Sequence, residues 1–200
     1  MSIFLIGLYI ACELVANVTA SKPIALGSII VPGAVFIYAL TFTLIDLINE
    51  KFGKKGAQQV IYTAFAANMV LAAYTQFVIY LPPASFYTNN TAFSSVLGST
   101  PRIVFASLAA YLISSLIDTE VFAWWRMKVG KHKWARVLIS NTISTLVDSI
   151  LFISIAFYGV MPVIPLITGQ YLVKMGVTVV SIPLIYFIRQ RKQVSEPTLS

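Results

Sequence analysis

The stretch from Trp134 to Tyr158 is long enough to cross a bilayer, yet it carries Asn141, Ser144, Thr145 and Asp148. These positions are spaced i, i+3, i+4 and i+7, so on a helix they share one face. Ile139, Ile143, Leu146, Ile150 and Ile153 fall on the opposite face. A span that only anchors a protein has no use for an amide, two hydroxyls and a carboxylate in a row. One carboxylate at membrane depth costs about 3 kcal/mol on insertion scales. The polar face must therefore turn toward protein or water, and it is expected to form one wall of a polar cavity.

Composition extends this to the whole chain. Apolar residues make up 58% and charged residues 10%, against roughly 25% charged in a soluble domain. The chain reads as an integral membrane protein, with one domain over 1–192 and a disordered cytoplasmic tail over 193–200. Its net charge of +7 sits in short segments between apolar runs. That is a topology signal and not a nucleic-acid stripe. Cys12 is the single cysteine and His132 the single histidine, which excludes an internal disulfide framework and any cysteine or histidine metal cluster. No cofactor is expected.

Spans of about 20 apolar residues are predicted at 3–21, 29–49, 57–81, 102–125, 134–158 and 163–188. Asn17-Val18-Thr19-Ala20 resembles a signal-peptidase site. No basic segment precedes it and Glu13 interrupts the run, so 3–21 is taken as a retained span. Pro32-Gly33 is expected in the first turn of the second helix, where proline is tolerated. A basic turn flanked by Gly53 and Gly56 should separate the second and third. Pro82-Pro83 ends the third, and Pro183 predicts a kink in the sixth.

Lys51, Lys54 and Lys55, then Arg126, Lys128, Lys131, Lys133 and Arg136, then Arg189, Arg191 and Lys192 fall on one side of the membrane. Lys22 and Arg102 fall on the other. The excess places both termini in the cytoplasm. The long segment 82–101 is then external, and either folds over a cavity mouth or merely connects.

All but Glu196 of the seven acidic residues lie in or at the edge of a span. Such residues mark functional sites by default. The first span aligns Tyr9, Glu13 and Asn17. The second groups Phe42, Asp46, Asn49 and Glu50. The fourth aligns Ser107, Tyr111, Ser114 and Asp118, and the sixth Gln170, Lys174, Thr178 and Ser181. At 1.5 Å per residue, Glu13, Asp148 and Lys174 lie roughly 15–20 Å from a membrane edge. Structural roles compete at several positions. Asp148 and Lys174 suit an ion pair, Asn68 an interhelical hydrogen bond, and the span hydroxyls bonds to their own helices.

Four segments carry a family resemblance: Ala16 to Lys22; Asp46 to Gly53; Asp118 ahead of an aromatic helix end and a basic loop; and Ser140-Asn141 followed by Asp148. With Lys174 in the last span, the chain resembles the queuosine precursor transporter family, also called the vitamin uptake transporter family. The resemblance implies an all-α bundle of six transmembrane helices, similar to the substrate-binding components of energy-coupling-factor importers. It implies uptake of 7-cyano-7-deazaguanine or 7-aminomethyl-7-deazaguanine across a bacterial inner membrane. It points to Asn17, Lys22, Asp46, Asp118, Asn141, Asp148 and Lys174 as functional positions.

The residue inventory suits such a guest. A carboxylate can accept both adjacent N–H donors of a deazaguanine. Its carbonyl can accept from Asn141, Gln170 or Lys174, and its ring can stack on Phe42 or Phe152. The aminomethyl form is a cation and favours an acidic pocket. No G-x-x-x-x-G-K-[ST] loop is present, so the chain itself is not an ATPase. A secondary carrier or facilitator is expected, with Asp148 and Glu13 as candidates for proton coupling. The expected partners are a small-molecule substrate and the lipid bilayer, with no nucleic acid; a homo-oligomer or an energising partner is left open. One rival is a binding subunit of an ATP-driven importer, docking through Gly7-x-x-x-Ala11 or Ala16-x-x-x-Ala20. A membrane-embedded enzyme is a weaker rival, since no nucleophile–base set is evident.

Overall fold

The computed structural model describes residues 2–128, 133–177 and 179. Helix α1 is Ser2–Thr19. A hairpin follows, with β1 at Pro23–Leu26 and β2 at Ile29–Pro32. Then come α2 at Val35–Tyr80, α3 at Asn90–Leu97, α4 at Thr100–Lys128 and α5 at Lys133–Phe157. Helix α6 spans Val163–Val177. The chain is mostly helical. Lys55–Tyr80 and Asn90–Ile117 have the length and hydropathy of membrane crossings, and shorter apolar helices accompany them.

The hairpin corrects the expected start of the second span. Residues 29–32 are a strand, so Pro32 closes β2 and does not open a helix. The strands pair antiparallel from Pro23–Pro32 to Leu26–Ile29. Two apolar four-residue runs separated by Gly27-Ser28 are a hairpin signature. Their high hydropathy masks it, because strand and span look alike on that scale. Gly33 N–H donates 2.7 Å to the Lys22 carbonyl and closes the base of the hairpin.

The expected break between the second and third spans is a single residue. Helical hydrogen bonding runs through α2, but Gly53 has φ 71° and ψ 177°. Leu44 and Ile48 from the first arm share one buried cluster with Ala57, Val60 and Ala64 from the second, and with Tyr9 and Cys12 of α1. In a straight helix, residues 44 and 64 would stand about 30 Å apart. Thr41 lies beside Glu13 of α1, and Asn68 bonds Asn17 one turn further on. Both arms therefore run beside α1, folded back at Gly53. At the far end Leu81 is extended, as a residue before proline prefers, and Pro82-Pro83 stops the helix as expected.

A second buried cluster joins α1, α2, α4, α5 and α6 near the hairpin. It is rich in alanine: Ala16, Ala20, Ala34, Ala106, Ala110 and Ala156, with Ile103, Phe152, Ile153 and Leu166. Small side chains let helix backbones approach closely, as helices in lipid require. Ala16 and Ala20 are thus used within the fold and are not free to dock a partner; Gly7 and Ala11 remain exposed. Arg102 caps α5, with Nε donating 2.6 Å to the Ile155 carbonyl and Nη2 donating 2.7 Å to that of Tyr158. These bonds satisfy carbonyls that a helix end leaves open.

Ile143, Leu146 and Ile150 of α5 are exposed on the expected outer face, whereas Ile153 is fully buried. One turn nearer the hairpin, α5 enters the alanine-rich cluster, and its apolar face is covered there. The segment 82–101, expected to be external and either to fold over a cavity mouth or merely to connect, contains α3, which buries none of its residues. The tail from Gln193 and Pro183 in the sixth span lie outside the described residues.

Candidate functional site

The polar rows converge on one cavity of about 400 Å³. Tyr9 and Glu13 reach it from α1. The first arm of α2 contributes Tyr38, Thr41 and Ile45, and the second arm Ile61, Ala64 and Phe65. Ser107, Tyr111, Ser114 and Ser115 come from α4, Ser144, Thr145, Asp148 and Phe152 from α5, and Lys174 from α6. Within each helix these residues recur at spacings of three, four, seven or eight, with adjacent pairs at Ala64-Phe65, Ser114-Ser115 and Ser144-Thr145, so each presents one face.

Two charged features face the cavity. Lys174 Nζ donates to Asp148 Oδ2 and ties α6 to α5. The same ammonium lies 5.7 Å from the Tyr38 ring centroid, within the range of a cation–π contact. On α1, the Glu13 carboxylate is hydrogen-bonded by the Tyr9 and Thr41 side chains. Thr41 Oγ1 is also within hydrogen-bond distance of the Tyr38 carbonyl, at 2.9 Å.

Aromatic pairs supply the apolar surface. Tyr38 meets Phe152 edge-on, with centroids 6.5 Å apart and planes at 83°. Phe65 meets Tyr111 at 5.5 Å and 62°. Edge-to-face pairs of this kind hold each ring in one orientation. Tyr38 also hydrogen-bonds Ser107. Chemically, the site combines one cross-linked ion pair, one carboxylate bonded to two hydroxyls, further hydroxyls and flat apolar walls.

Of the positions singled out from sequence, Glu13, Asp148, Phe152 and Lys174 line the cavity. Asn17 does not. It is buried, and its Nδ2 donates to Asn68 Oδ1 at 2.8 Å and to the Glu13 carbonyl at 3.1 Å. Gln170 is buried beside Gly169 but outside the cavity lining, and its Nε2 has no hydrogen-bond partner. Lys22 is exposed at the end of α1, before the hairpin, and does not line the cavity. Asp46, Asp118 and Asn141 lie on α2, α4 and α5, and their side chains, like those of Phe42 and Glu50, are outside the described residues. Ser114 and Ser115 donate to carbonyls of their own helix, to Tyr111 at 3.3 Å and Leu112 at 3.0 Å.

Tyr38 and Thr41 are cavity residues that the sequence rows missed. Tyr38, Thr41 and Ile45 follow helical spacing. The acidic residues further along the same helix drew the row one position round, toward Phe42, Asp46 and Asn49.

Residues 32–188 match the family described as "Putative vitamin uptake transporter". A Bacillus subtilis protein named "Probable queuosine precursor transporter" is 28% identical over 176 residues, which cover 86% of this chain and 77% of that one. A Haemophilus influenzae protein of the same name is 26% identical over 121 residues, covering 60% of this chain and 49% of that one. No solved structure matches the chain.

Proposed function

The chain belongs to the vitamin uptake transporter family, a family of membrane transporters and not of enzymes, and on that premise we propose that it imports a 7-deazaguanine precursor of queuosine. The observation that carries this is the cavity itself. Apolar spans have no reason to converge carboxylates, an ammonium and hydroxyls between aromatic pairs unless something flat and polar binds there. A volume of about 400 Å³ is in the range of small-molecule sites. The curated names of both relatives support the substrate class.

The arrangement suggests a division of labour. Aromatic edges and faces around Tyr38, Phe152, Phe65 and Tyr111 hold the ring by apolar contact. A carboxylate accepts its paired N–H donors, and Lys174 or a neighbouring hydroxyl donates to its carbonyl. Asn141 and Gln170 remain candidate donors, and Asn17, Lys22, Asp46 and Asp118 candidate positions along the route. The chain acts as a secondary carrier or facilitator in a bacterial inner membrane. Its six spans are 3–21, the two arms of α2, α4, α5 and the helix starting at Val163, with both termini cytoplasmic.

The test is uptake of labelled 7-cyano- and 7-aminomethyl-7-deazaguanine by cells that cannot make them. Accumulation that depends on this chain, and is lost in Asp148→Asn, is the expected result. Accumulation independent of the chain would refute the function, and wild-type uptake by Asp148→Asn would move the site elsewhere.

A further inference from the structure

The two acidic groups of the cavity are not equivalent. Asp148 is bonded to Lys174, so that pair brings no net charge to the cavity. Glu13 approaches on α1, a helix packed along α2 and α4, while the pair stands on α5 and α6. Among the described residues the ion pair of Lys174 is with Asp148, and Lys174 acts on Glu13 electrostatically without a hydrogen bond between them. The hydrogen-bond partners of Glu13 are the Tyr9 and Thr41 hydroxyls. A carboxylate has about four acceptor positions, so about two of those on Glu13 are left for a guest. With Glu13 ionised, Glu13, Asp148 and Lys174 together leave the described cavity one unit negative.

We propose that Glu13 reads the charge of the guest, so that the cavity selects a flat heterocyclic base bearing a protonated amine over a neutral base of the same shape. The inference rests on the functional reading above and names the preferred member of that substrate class. A cationic arm cancels the charge of Glu13 and takes up its unused acceptors. A neutral arm strips water from the carboxylate without replacing the charge interaction. Asp148 cannot serve in the same way without giving up Lys174.

The test compares ligands that differ in charge alone. Purified protein is titrated with 7-aminomethyl-7-deazaguanine and with the 7-hydroxymethyl analogue, in which a hydroxyl replaces the amine. The wild type is expected to bind the amine about tenfold or more tightly, the size of effect a charge-assisted hydrogen bond gives. In Glu13→Gln the ratio should fall to near one. Tyr9→Phe removes one donor from Glu13 with little change of shape, and should hold or raise the ratio. A wild-type ratio near one overturns the inference, as does an undiminished ratio in Glu13→Gln or a lowered one in Tyr9→Phe. Failure of the wild type to bind either base overturns the functional reading, and this inference with it; binding of both without preference overturns the inference alone.

Discussion

Asn17 and Asn68 join α1 to the second arm of α2 through a 2.8 Å bond between their side-chain amides. Each amide is also held by its own helix: Asn17 donates to the Glu13 carbonyl at 3.1 Å, and Asn68 to that of Ala64 at 3.0 Å. Both residues are 2% exposed, so neither has water as an alternative partner. Interhelical bonds in membrane proteins contribute about 0.6 kcal/mol on average, and stranding a buried partner costs about 1–3 kcal/mol. Asn68→Leu should therefore destabilise the protein by about 1–2 kcal/mol. Adding Asn17→Leu should recover part of the loss, read as the midpoint of thermal unfolding in detergent. Additive losses would show that the two amides are not coupled.

The Asp148–Lys174 pair should behave in the same coupled way with larger amplitude. The side chains are 23% and 11% exposed, so solvent screens the pair only in part. Removing one member of a buried pair costs about 3–5 kcal/mol, and the residual exposure lowers that to about 2–3 kcal/mol. Asp148→Asn and Lys174→Met should each lower the unfolding midpoint. The double variant should be more stable than the weaker single, because no unpaired charge remains. A double-mutant cycle with no coupling energy would count against the bond.

Gly53 should not tolerate a side chain. A φ of 71° with ψ of 177° belongs to a region open essentially to glycine alone, and other residues pay about 1–3 kcal/mol there. Gly53→Ala has open space around the new methyl group. Any loss of stability in this variant therefore reports backbone strain at the fold-back. A variant as stable as the wild type would place the turn elsewhere.

Gly169 should be intolerant for a different reason. A Cβ there would run into the Ile30 carbonyl oxygen and lie 2.9 Å from the Val31 side chain. Helix α6 and strand β2 thus meet backbone to backbone. Gly169→Val should push the hairpin from its seat, at about 1–3 kcal/mol for overpacking, and make the 23–32 segment more sensitive to protease. Unchanged protease sensitivity would mean that the hairpin adapts without leaving.

Much of the site was legible in the sequence because helical spacing decides which residues share a face. The rows through Tyr9 and Glu13, through Ser107, Tyr111 and Ser114, and through Ser144, Thr145 and Asp148 all meet the cavity. Spacing says nothing about which polar groups satisfy one another. Asn17 belongs to the same row as Glu13, but Asn68 holds it away from the cavity. The hairpin was hidden because an apolar strand and an apolar span have the same hydropathy. The discriminators were the short runs and the Gly27-Ser28 turn between them, and residues 23–32 abut a true helix.

The amino-acid order alone settled that this chain must bury polar faces within apolar helices, since unpaired charge at membrane depth is too costly to leave facing lipid. It also settled where the helices stop, through Gly53 and Pro82-Pro83. Only the tertiary structure decided that Lys174 neutralises Asp148 while Glu13 is met by the hydroxyls of Tyr9 and Thr41. That outcome depends on which helices are neighbours, and neighbours distant in sequence are set by packing, not by spacing along the chain.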